Sequence, residues 1–346
     1  MRSRTAALSV AILLIAAACT AATPSLPATL APTATVEPAA TATATVEPSL
    51  RPTLAPPSAS PVPYAQIVRD HIAALMGIGL RVEGTDGERQ GAAYIASTLE
   101  GYGYQPETLP FTAVDYYGNT VNSQNVVAVN SGRSSREIIV GAHYDSTAGG
   151  PGADDNASGV AMMLEMAQLL EGRSTPYTIR FVAFGAEEGG MVGSTAFVNQ
   201  MSASERANTV GFVNLDSIVA GDFMYAYADE ALPALRDWAL AWAAGRSLDL
   251  GTIRNVDLGG PAGVGSGDYA PFTRAGIPFV YFEATDWSLG GQDGYTQVDP
   301  AYGNHGELRH TSYDTLAYVD ALFPGRVDAH LNTVAVVLLG LLTEFE

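Results

Sequence analysis

Three short, almost uninterrupted apolar runs alternate with segments of helical periodicity along the middle of the chain. The runs are Glu137–Ala142, Tyr177–Phe184 and Thr209–Leu215. Runs of this length are typical of strands that are buried on both faces of a parallel sheet. Between the first two runs, Ser158–Leu170 carries apolar residues at helical spacing. The alternation predicts an α/β fold whose central sheet is covered by helices on both faces.

Residues 1–18 predict a signal segment. Two arginines precede the apolar stretch Ala6–Ala18, and three alanines stand directly before Cys19, the only cysteine of the chain. The stretch is too short to span a membrane comfortably and is typical of an exported protein. It resembles a bacterial lipoprotein signal, with Ala16 where such signals usually carry leucine. We expect an extracytoplasmic protein, lipid-anchored at the bacterial cell surface through Cys19; the alternative is a secreted protein with an incidental cysteine.

The next segment, residues 20–63, consists mainly of Thr, Ala and Pro and contains the hexapeptide TATVEP twice. Such a composition cannot bury a core, so it predicts a disordered linker that is partly polyproline II. Residues 64–346 then form one folded domain. Its last segment, Pro324–Phe345, is expected to be a core helix, because the apolar stretch within it is too short for a membrane span.

The charge of the chain excludes several classes of function. The 36 acidic residues outnumber the 17 basic ones, which are all arginine, and the net charge is −19 at pH 7. A nucleic-acid binder needs a basic surface, so no nucleic-acid partner is expected. The absence of lysine excludes Schiff-base chemistry and the phosphate-loop lysine. One cysteine cannot build a disulfide framework or a cysteine-ligated zinc site.

Acidic and imidazole side chains follow all three apolar runs. His143 and Asp145 come after the first run, Glu187 and Glu188 after the second, and Asp216 after the third. Because the carboxyl ends of parallel strands meet at one edge of a sheet, these side chains are expected to lie together. Paired carboxylates repel one another unless a cation is present or one of them is protonated.

Two further motifs complete this set of polar residues. Asp154-Asp155-Asn156 opens the helical segment, and helix capping would account for only one of these three residues. His310 follows a polar stretch from about residue 284 to residue 309, and loops of this length in compact domains are usually functional. Oxygen and imidazole ligands without sulfur suit two zinc ions that share one carboxylate.

Taken in order, these motifs resemble the dinuclear-zinc aminopeptidases, the family of secreted bacterial leucine-preferring enzymes. The resemblance extends from about Ile67 to the C-terminus. It implies a three-layer zinc-exopeptidase fold with a mixed, mostly parallel central sheet, and it makes residues 64–346 the catalytic domain. It also implies two Zn(II) ions as cofactors and the N-termini of peptides or proteins as substrates. A monomer is favoured.

The same resemblance implies a role for each residue of the site. Five residues at the strand ends and in the adjoining loops are implied metal ligands: His143, Asp155, Glu188, Asp216 and His310. Of these, Asp155 bridges the two ions, each of which has two further ligands. Glu187 corresponds to the general base that accepts a proton from the attacking water. Asp145 has the spacing to orient the imidazole of His143.

Two departures from the family pattern concern the surroundings of the metals. Gly267-Asp268-Tyr269 stands where many members have Ser-Asp-His, a motif interpreted as structural. Arg309 occupies the position before the late histidine, where some relatives place a tyrosine that contacts the oxyanion. Four residues of the long loop remain candidates for that contact: Tyr295, Tyr302, His305 and Arg309.

The sequence disfavours three other functions. A glutaminyl cyclase shares the fold and uses one zinc, but such enzymes typically have Asp-Gly before the glutamate pair and Trp before the late histidine. Here Gly185-Ala186 and Arg309 occupy these positions. A non-catalytic binding module is disfavoured because every ligand position and the base are present. A serine hydrolase is weaker still, because the residues around Ser266 do not form the required Gly-x-Ser-x-Gly turn.

Overall fold

The computed structural model describes residues 64–253 and 267–346. The predicted signal segment 1–18, the anchor Cys19 and the linker 20–63 lie outside these residues, as does Ser266. The predictions for those segments therefore stay predictions.

The central layer is a seven-stranded mixed sheet in the order β1-β2-β4-β3-β5-β7-β6. The strands are β1 Glu107–Val114, β2 Thr120–Asn130, β3 Ser134–His143, β4 Tyr177–Phe184, β5 Thr209–Leu215, β6 Phe223–Tyr227 and β7 Phe279–Thr285. The four central strands β4, β3, β5 and β7 run parallel, whereas the remaining pairings are antiparallel. The predicted α/β fold with a mixed sheet is confirmed.

Helices cover both faces of the sheet. The α-helices in the described residues are α1 Ala65–Ile78, α2 Asp86–Gly101, α3 Gly159–Leu170, α4 Val192–Gln200, α5 Ala203–Asn208, α6 Ala234–Ala244, α7 Tyr269–Arg274, α8 Leu316–Leu322 and α9 Arg326–Glu344. A short π-helical turn, Ala153–Ser158, directly precedes α3. The sequence pattern predicts a longer sixth helix, over Glu230–Arg246. It begins later because Pro233 disfavours helical geometry in the residue before it.

The two faces of the sheet carry cores of different composition. On one face, aliphatic and methionine side chains pack beneath α1, α2, α3 and α9. On the other, phenylalanines and tyrosines pack against α4 and α7, and the rings of Phe212 and Phe272 stack with their centroids 3.9 Å apart. The metal-binding candidates lie above both cores, at the carboxyl ends of the parallel strands.

Helix α9 is long and apolar enough to cross a membrane by length and composition, and 56% of its most apolar window is buried within the domain. It packs against α6, where the ring of Trp242 lies on Gly340 so closely that a Cβ there would be 2.3 Å from Cε2. The indole of Trp242 also donates to the carbonyl of Val336 at 3.3 Å. In the described structure α9 is a core helix, as the sequence predicts.

Glu165, on the buried helix α3, gives a stability prediction. Its side chain is buried, and Oε2 has no hydrogen-bond partner among the described residues. Burial raises the pKa of Glu165 from 4.5 to about 7. Because the folded pKa is the higher one, the carboxyl costs nothing at low pH, and stability is lost as pH rises through about 7.

The variant Glu165→Gln is therefore expected to leave the free energy of unfolding nearly unchanged at pH 4, below the unfolded pKa of 4.5. At pH 8.5 it should raise that free energy by about 1–3 kcal/mol, because the shift is worth roughly 1.4 kcal/mol per pKa unit. Urea unfolding at the two pH values measures the difference, with the exposed Glu100→Gln as a matched control. An equal change at both pH values would contradict the prediction.

Candidate metal centre

The site is centred on His143, the last residue of β3. Its Nε2 lies 3.1 Å from Oδ1 of Asp155 and 3.6 Å from Oδ1 of Asp216, which directly follows β5. Only 2% of the His143 side chain is exposed. Two neighbouring parallel strands thus deliver an imidazole and a carboxylate to the same point.

Asp155 connects this group to a second imidazole. Its other oxygen, Oδ2, lies 3.0 Å from Nε2 of His310, and that nitrogen lies 3.1 Å from Oε2 of Glu188. The His310 side chain is 53% exposed, so this second group opens towards solvent. The structure therefore brings together all five residues that the sequence predicts as metal ligands, with the carboxylate of Asp155 between the two histidines.

The donor set fits zinc. Ligand atoms of His143, Asp155 and Glu188 lie within 4.8 Å of one another. All are nitrogen or oxygen donors, which is a usual zinc environment. The second oxygen of Glu188, Oε1, is buried and has no hydrogen-bond partner among the described residues. An orphaned carboxylate oxygen at this place is the atom that a cation would satisfy.

The electrostatics of the protein groups alone show how much negative charge is concentrated here. Hydrogen bonds to Asp155 and Glu188 raise the pKa of His310 to about 11. Burial, together with the charge of Asp155, raises the pKa of Glu188 to about 7. The cluster therefore favours positive charge between the carboxylates, which protons or metal ions can supply.

The turn that carries Asp155 is held by buried carboxylates on either side. The backbone N–H groups of Asp154 and Asp155 donate to the Asp314 carboxylate at 2.6 and 3.1 Å. The Asp154 carboxylate in turn accepts from the backbone N–H groups of Val219 and Ala220, at 2.8 and 3.0 Å. The first aspartate of the pair is thus structural and the second faces the histidines, so simple helix capping does not explain the motif.

Gln297 ties the long loop to the same turn. Its Nε2 donates to Oδ2 of Asp154 at 2.6 Å. Its Oε1 accepts from the backbone N–H groups of Leu308 and Arg309, at 3.0 and 2.9 Å. The residue that follows is His310, so the position of this imidazole depends on the Gln297 bridge.

Asp145 has a clear structural contact besides its predicted role. Its two oxygens accept from the backbone N–H groups of Glu187 and Glu188, each at 3.0 Å. The distance from its Oδ1 to Nδ1 of His143 is 3.5 Å, which is longer than a normal hydrogen bond. Asp145 therefore fixes the glutamate pair, and its orientation of His143 stays a prediction.

Glu187 lies beside the ligands in a strongly acidic environment. Burial raises its pKa well above the ordinary value, and the charges of Asp268 and Glu188 add to this effect while His143 opposes it. Asp268 is itself buried, and burial raises its pKa to about 7 against the influence of His143. The Gly267-Asp268-Tyr269 motif, interpreted from the sequence as structural, thus places a carboxyl group within the electrostatic reach of the site.

Arg81 was missed in the sequence, and it lies directly beneath the site. Its side chain is fully buried, and all its hydrogen bonds go to backbone carbonyls. Nε donates to the carbonyl of Tyr144 at 2.7 Å, and the guanidinium nitrogens donate to those of Pro151 and Gly152 at 2.8 and 3.1 Å. One cation thus joins the end of β3 to the loop that leads to Asp155. An arginine between Leu80 and Val82 gives no sequence signal for this role.

The four candidates for the oxyanion contact have different surroundings. The Arg309 guanidinium donates to Oε1 of the buried Glu283 at 3.0 Å, and Glu283 makes the largest contribution to raising the pKa of Arg309. Carboxylates of the ligand cluster contribute to the same shift. Tyr295, Tyr302 and His305 are all exposed. Arg309 is thus a fixed cation at the edge of the site.

Comparison with known sequences identifies relatives of this chain. The family model described as Peptidase family M28 matches residues 125–335. The chain is 32% identical over 317 residues to the alkaline phosphatase isozyme conversion protein of Escherichia coli K12, covering 83% of this chain and 91% of that protein. It is 30% identical over 206 residues to aminopeptidase YwaD of Bacillus subtilis, covering 57% of this chain and 40% of that protein.

Solved structures share the architecture. The zinc aminopeptidase BSAP from Bacillus subtilis matches with a TM-score of 0.65 at 19% identity, over 82% of this chain and 97% of that one. A glutaminyl cyclase from Porphyromonas gingivalis matches with a TM-score of 0.62 at 18% identity, over 80% and 97%. These likenesses show the fold. The family match, which spans more than half of the chain, and the Escherichia coli relative show that this chain belongs to peptidase family M28.

Proposed function

We propose that this protein is a zinc-dependent aminopeptidase that hydrolyses the N-terminal peptide bond of peptides and proteins. The observation that carries the proposal is the placement of Asp155, whose two oxygens face His143 and His310 separately. Beside this group lies Glu187, a carboxylate whose predicted role is that of a base and not of a ligand. Membership of the family and the aminopeptidase activity in the name of the Bacillus subtilis relative support the proposal.

The arrangement supports two zinc ions. His143, Asp155 and Asp216 would hold the first ion, and Asp155, Glu188 and His310 would hold the second. Zinc at these positions would polarise the carbonyl of the scissile bond and acidify water.

The residues of the chain itself supply proton transfer and orientation. The carboxylate of Glu187 accepts a proton from the attacking water and delivers it to the leaving amine nitrogen. Asp145 keeps Glu187 in place by accepting its backbone N–H. Arg309, fixed by Glu283, is the candidate donor to the oxygen that becomes negative.

A glutaminyl cyclase is the second candidate, because such an enzyme is among the solved structures with this fold. The structural likeness does not separate the two activities, since the TM-scores are 0.65 and 0.62. The aminopeptidase is favoured because the ligand groups around both histidines are complete, whereas a cyclase needs one zinc. Ala186 and Arg309 also differ from the residues typical of cyclases.

The location of the protein follows from the N-terminal sequence alone. An extracytoplasmic position, with a lipid anchor at Cys19 or secretion as the alternative, would expose the site to peptides outside the cytoplasm. The expected oligomeric state is a monomer.

Zinc content and product identity test the proposed function together. The full-length chain, purified in detergent and dialysed against zinc, is expected to hold two zinc ions and to release leucine from a leucyl anilide. Chelation should abolish turnover, and zinc should restore it. One zinc per chain with pyroglutamate formed from a glutaminyl peptide would show a cyclase instead. A protein that binds no zinc and shows no turnover would overturn the proposal.

A further inference from the structure

The hairpin tip between β1 and β2 lies against the turn that carries the glutamate pair. The backbone N–H of Tyr116 donates to the carbonyl of Gly189 at 2.6 Å. Gly190 lies so near that a Cβ on it would be 3.2 Å from the Cβ of Tyr116. The N–H of Gly190 in turn donates to the carbonyl of Glu187 at 2.7 Å. The hairpin tip is thus in direct contact with the turn that carries the glutamate pair.

This tip presents two aromatic rings to solvent. Tyr116 is 86% exposed and Tyr117 is 74% exposed, the highest values among large apolar side chains in the described residues. Their rings meet edge to face with centroids 5.7 Å apart. Exposed aromatic pairs beside a site are typical of binding surfaces, because they offer large apolar area at little cost in conformational entropy.

The hairpin is held in a fixed position. Asp115 accepts from the backbone N–H and from the side-chain amide of Asn119, at 2.7 and 2.9 Å. Glu83 lies against the same turn, where its Oε2 would be 2.0 Å from a Cβ on Gly189. The hairpin tip that carries the tyrosine pair is therefore packed against the turn that carries the glutamate pair.

A groove leads away from the same turn. It has a volume of about 480 Å³, lies between β1 and α4, and includes Gly190 in its wall. Volumes of this size accommodate small organic ligands. None of its lining residues carries a charge; Phe111, Val114, Val192 and Ala196 are among them. In the described sheet β1 is an edge strand, so one side of it is unpaired and open to an extended chain.

We propose that the tyrosine pair and this groove bind the part of a peptide substrate that follows the scissile bond. The proposal rests on the proposed aminopeptidase function and names its substrate class: extended peptides of several residues with uncharged side chains after the first residue. A substrate is the favoured occupant because the tip contacts Gly189 and the groove includes Gly190, which follow Glu187 in the turn beside which the substrate's N-terminus has to lie. The rings stack on the peptide, and the neutral groove accepts side chains without stranding a charge.

The test compares a short and a long substrate. Wild type is expected to cleave Leu-Ala-Ala-Ala with a kcat/KM about 5–10 times that for leucyl anilide, which corresponds to one or two apolar contacts. The double variant Tyr116→Ser, Tyr117→Ser and the groove variant Ala196→Arg should each lose most of this advantage, mainly through KM. The double variant Tyr116→Phe, Tyr117→Phe, which keeps the rings, should retain it. Ala241→Arg, an exposed alanine of α6, is the matched control for the charge.

The outcomes separate this proposal from the proposed function. The proposed role of the groove would be overturned if wild type cleaved both substrates without a length advantage. It would also be overturned if the variants lost kcat/KM equally on both substrates. Concentration-dependent dimerisation that disappears in the serine variant while the length advantage stays would assign the surface to a second copy. Absence of hydrolysis by wild-type protein would overturn the proposed function itself.

Discussion

The variant Glu187→Gln is expected to lower kcat by about 10²–10⁴-fold, the usual contribution of a positioned general base. Glutamine has the shape of glutamate, but its amide cannot accept the proton of the attacking water. Because Asp145 binds the backbone N–H of residue 187 and not the side chain, the turn should keep its position. The loss should appear in kcat with KM nearly unchanged, since the group acts in the transition state.

Zinc content gives the matched measurement for this variant. If Glu187 is not a ligand, Glu187→Gln should bind as much zinc as wild type, whereas His310→Ala should bind less. Glu100→Gln, an exposed glutamate of α2, serves as a control for the change of charge. A variant that loses zinc along with activity would show that Glu187 is a ligand, and one that keeps wild-type kcat would remove it from the mechanism.

The second large effect is expected at Arg81. The variant Arg81→Met should lower the free energy of unfolding by about 3–5 kcal/mol, because several buried carbonyl groups would each be left unsatisfied at a cost of about 1–3 kcal/mol. The carbonyls of Tyr144, Pro151 and Gly152 would lose their donor in a buried place. The variant would also remove a positive charge next to an acidic cluster. Burial lowers the pKa of Arg81, and the negative charges of Asp145 and Asp314 oppose this most strongly.

A comparison of the zinc-free and zinc-loaded protein separates two contributions of Arg81. Urea unfolding without zinc measures the loss of packing and hydrogen bonds, and the additional stability on adding zinc measures the site. We expect Arg81→Met to lose part of both, because the guanidinium joins the strand end of His143 to the loop before Asp155. The stability of Arg81→Lys should lie between those of wild type and Arg81→Met, since lysine keeps the charge but lacks the planar set of donors. A stability loss below about 1 kcal/mol would contradict the prediction.

The sequence predicts the middle of the sheet well for a physical reason. Most residues of β3, β4 and β5 are buried, so their apolar runs are almost uninterrupted, and a polar residue of the site follows each run. The short strand β6, Phe223–Tyr227, was missed because a buried apolar run of five residues cannot be told from a buried helix segment by its pattern alone. Edge and near-edge strands depend on their neighbours more than on their own pattern.

The residues of the candidate site also differ in how well the sequence predicts them. Glu187 and four of the five ligands adjoin predicted strands or a predicted helix, and the order of the motifs adds His310. The residue that connects the long loop to them does not follow such a pattern, because Gln297 reaches across 143 residues to Asp154. Partners so distant in sequence carry no local signal, because only the fold brings them together.

The unequal depth of the two histidines has a consequence for how the enzyme would acquire its ions. His143 is 2% exposed and His310 is 53% exposed. If both groups bind metal as proposed, the outer position meets water, chelators and competing divalent cations first, while the inner one is screened by the sheet edge. Exchange of the bound metal ions would then proceed in two phases. Protein exposed briefly to a different divalent ion would hold one ion of each kind, with the new ion beside His310.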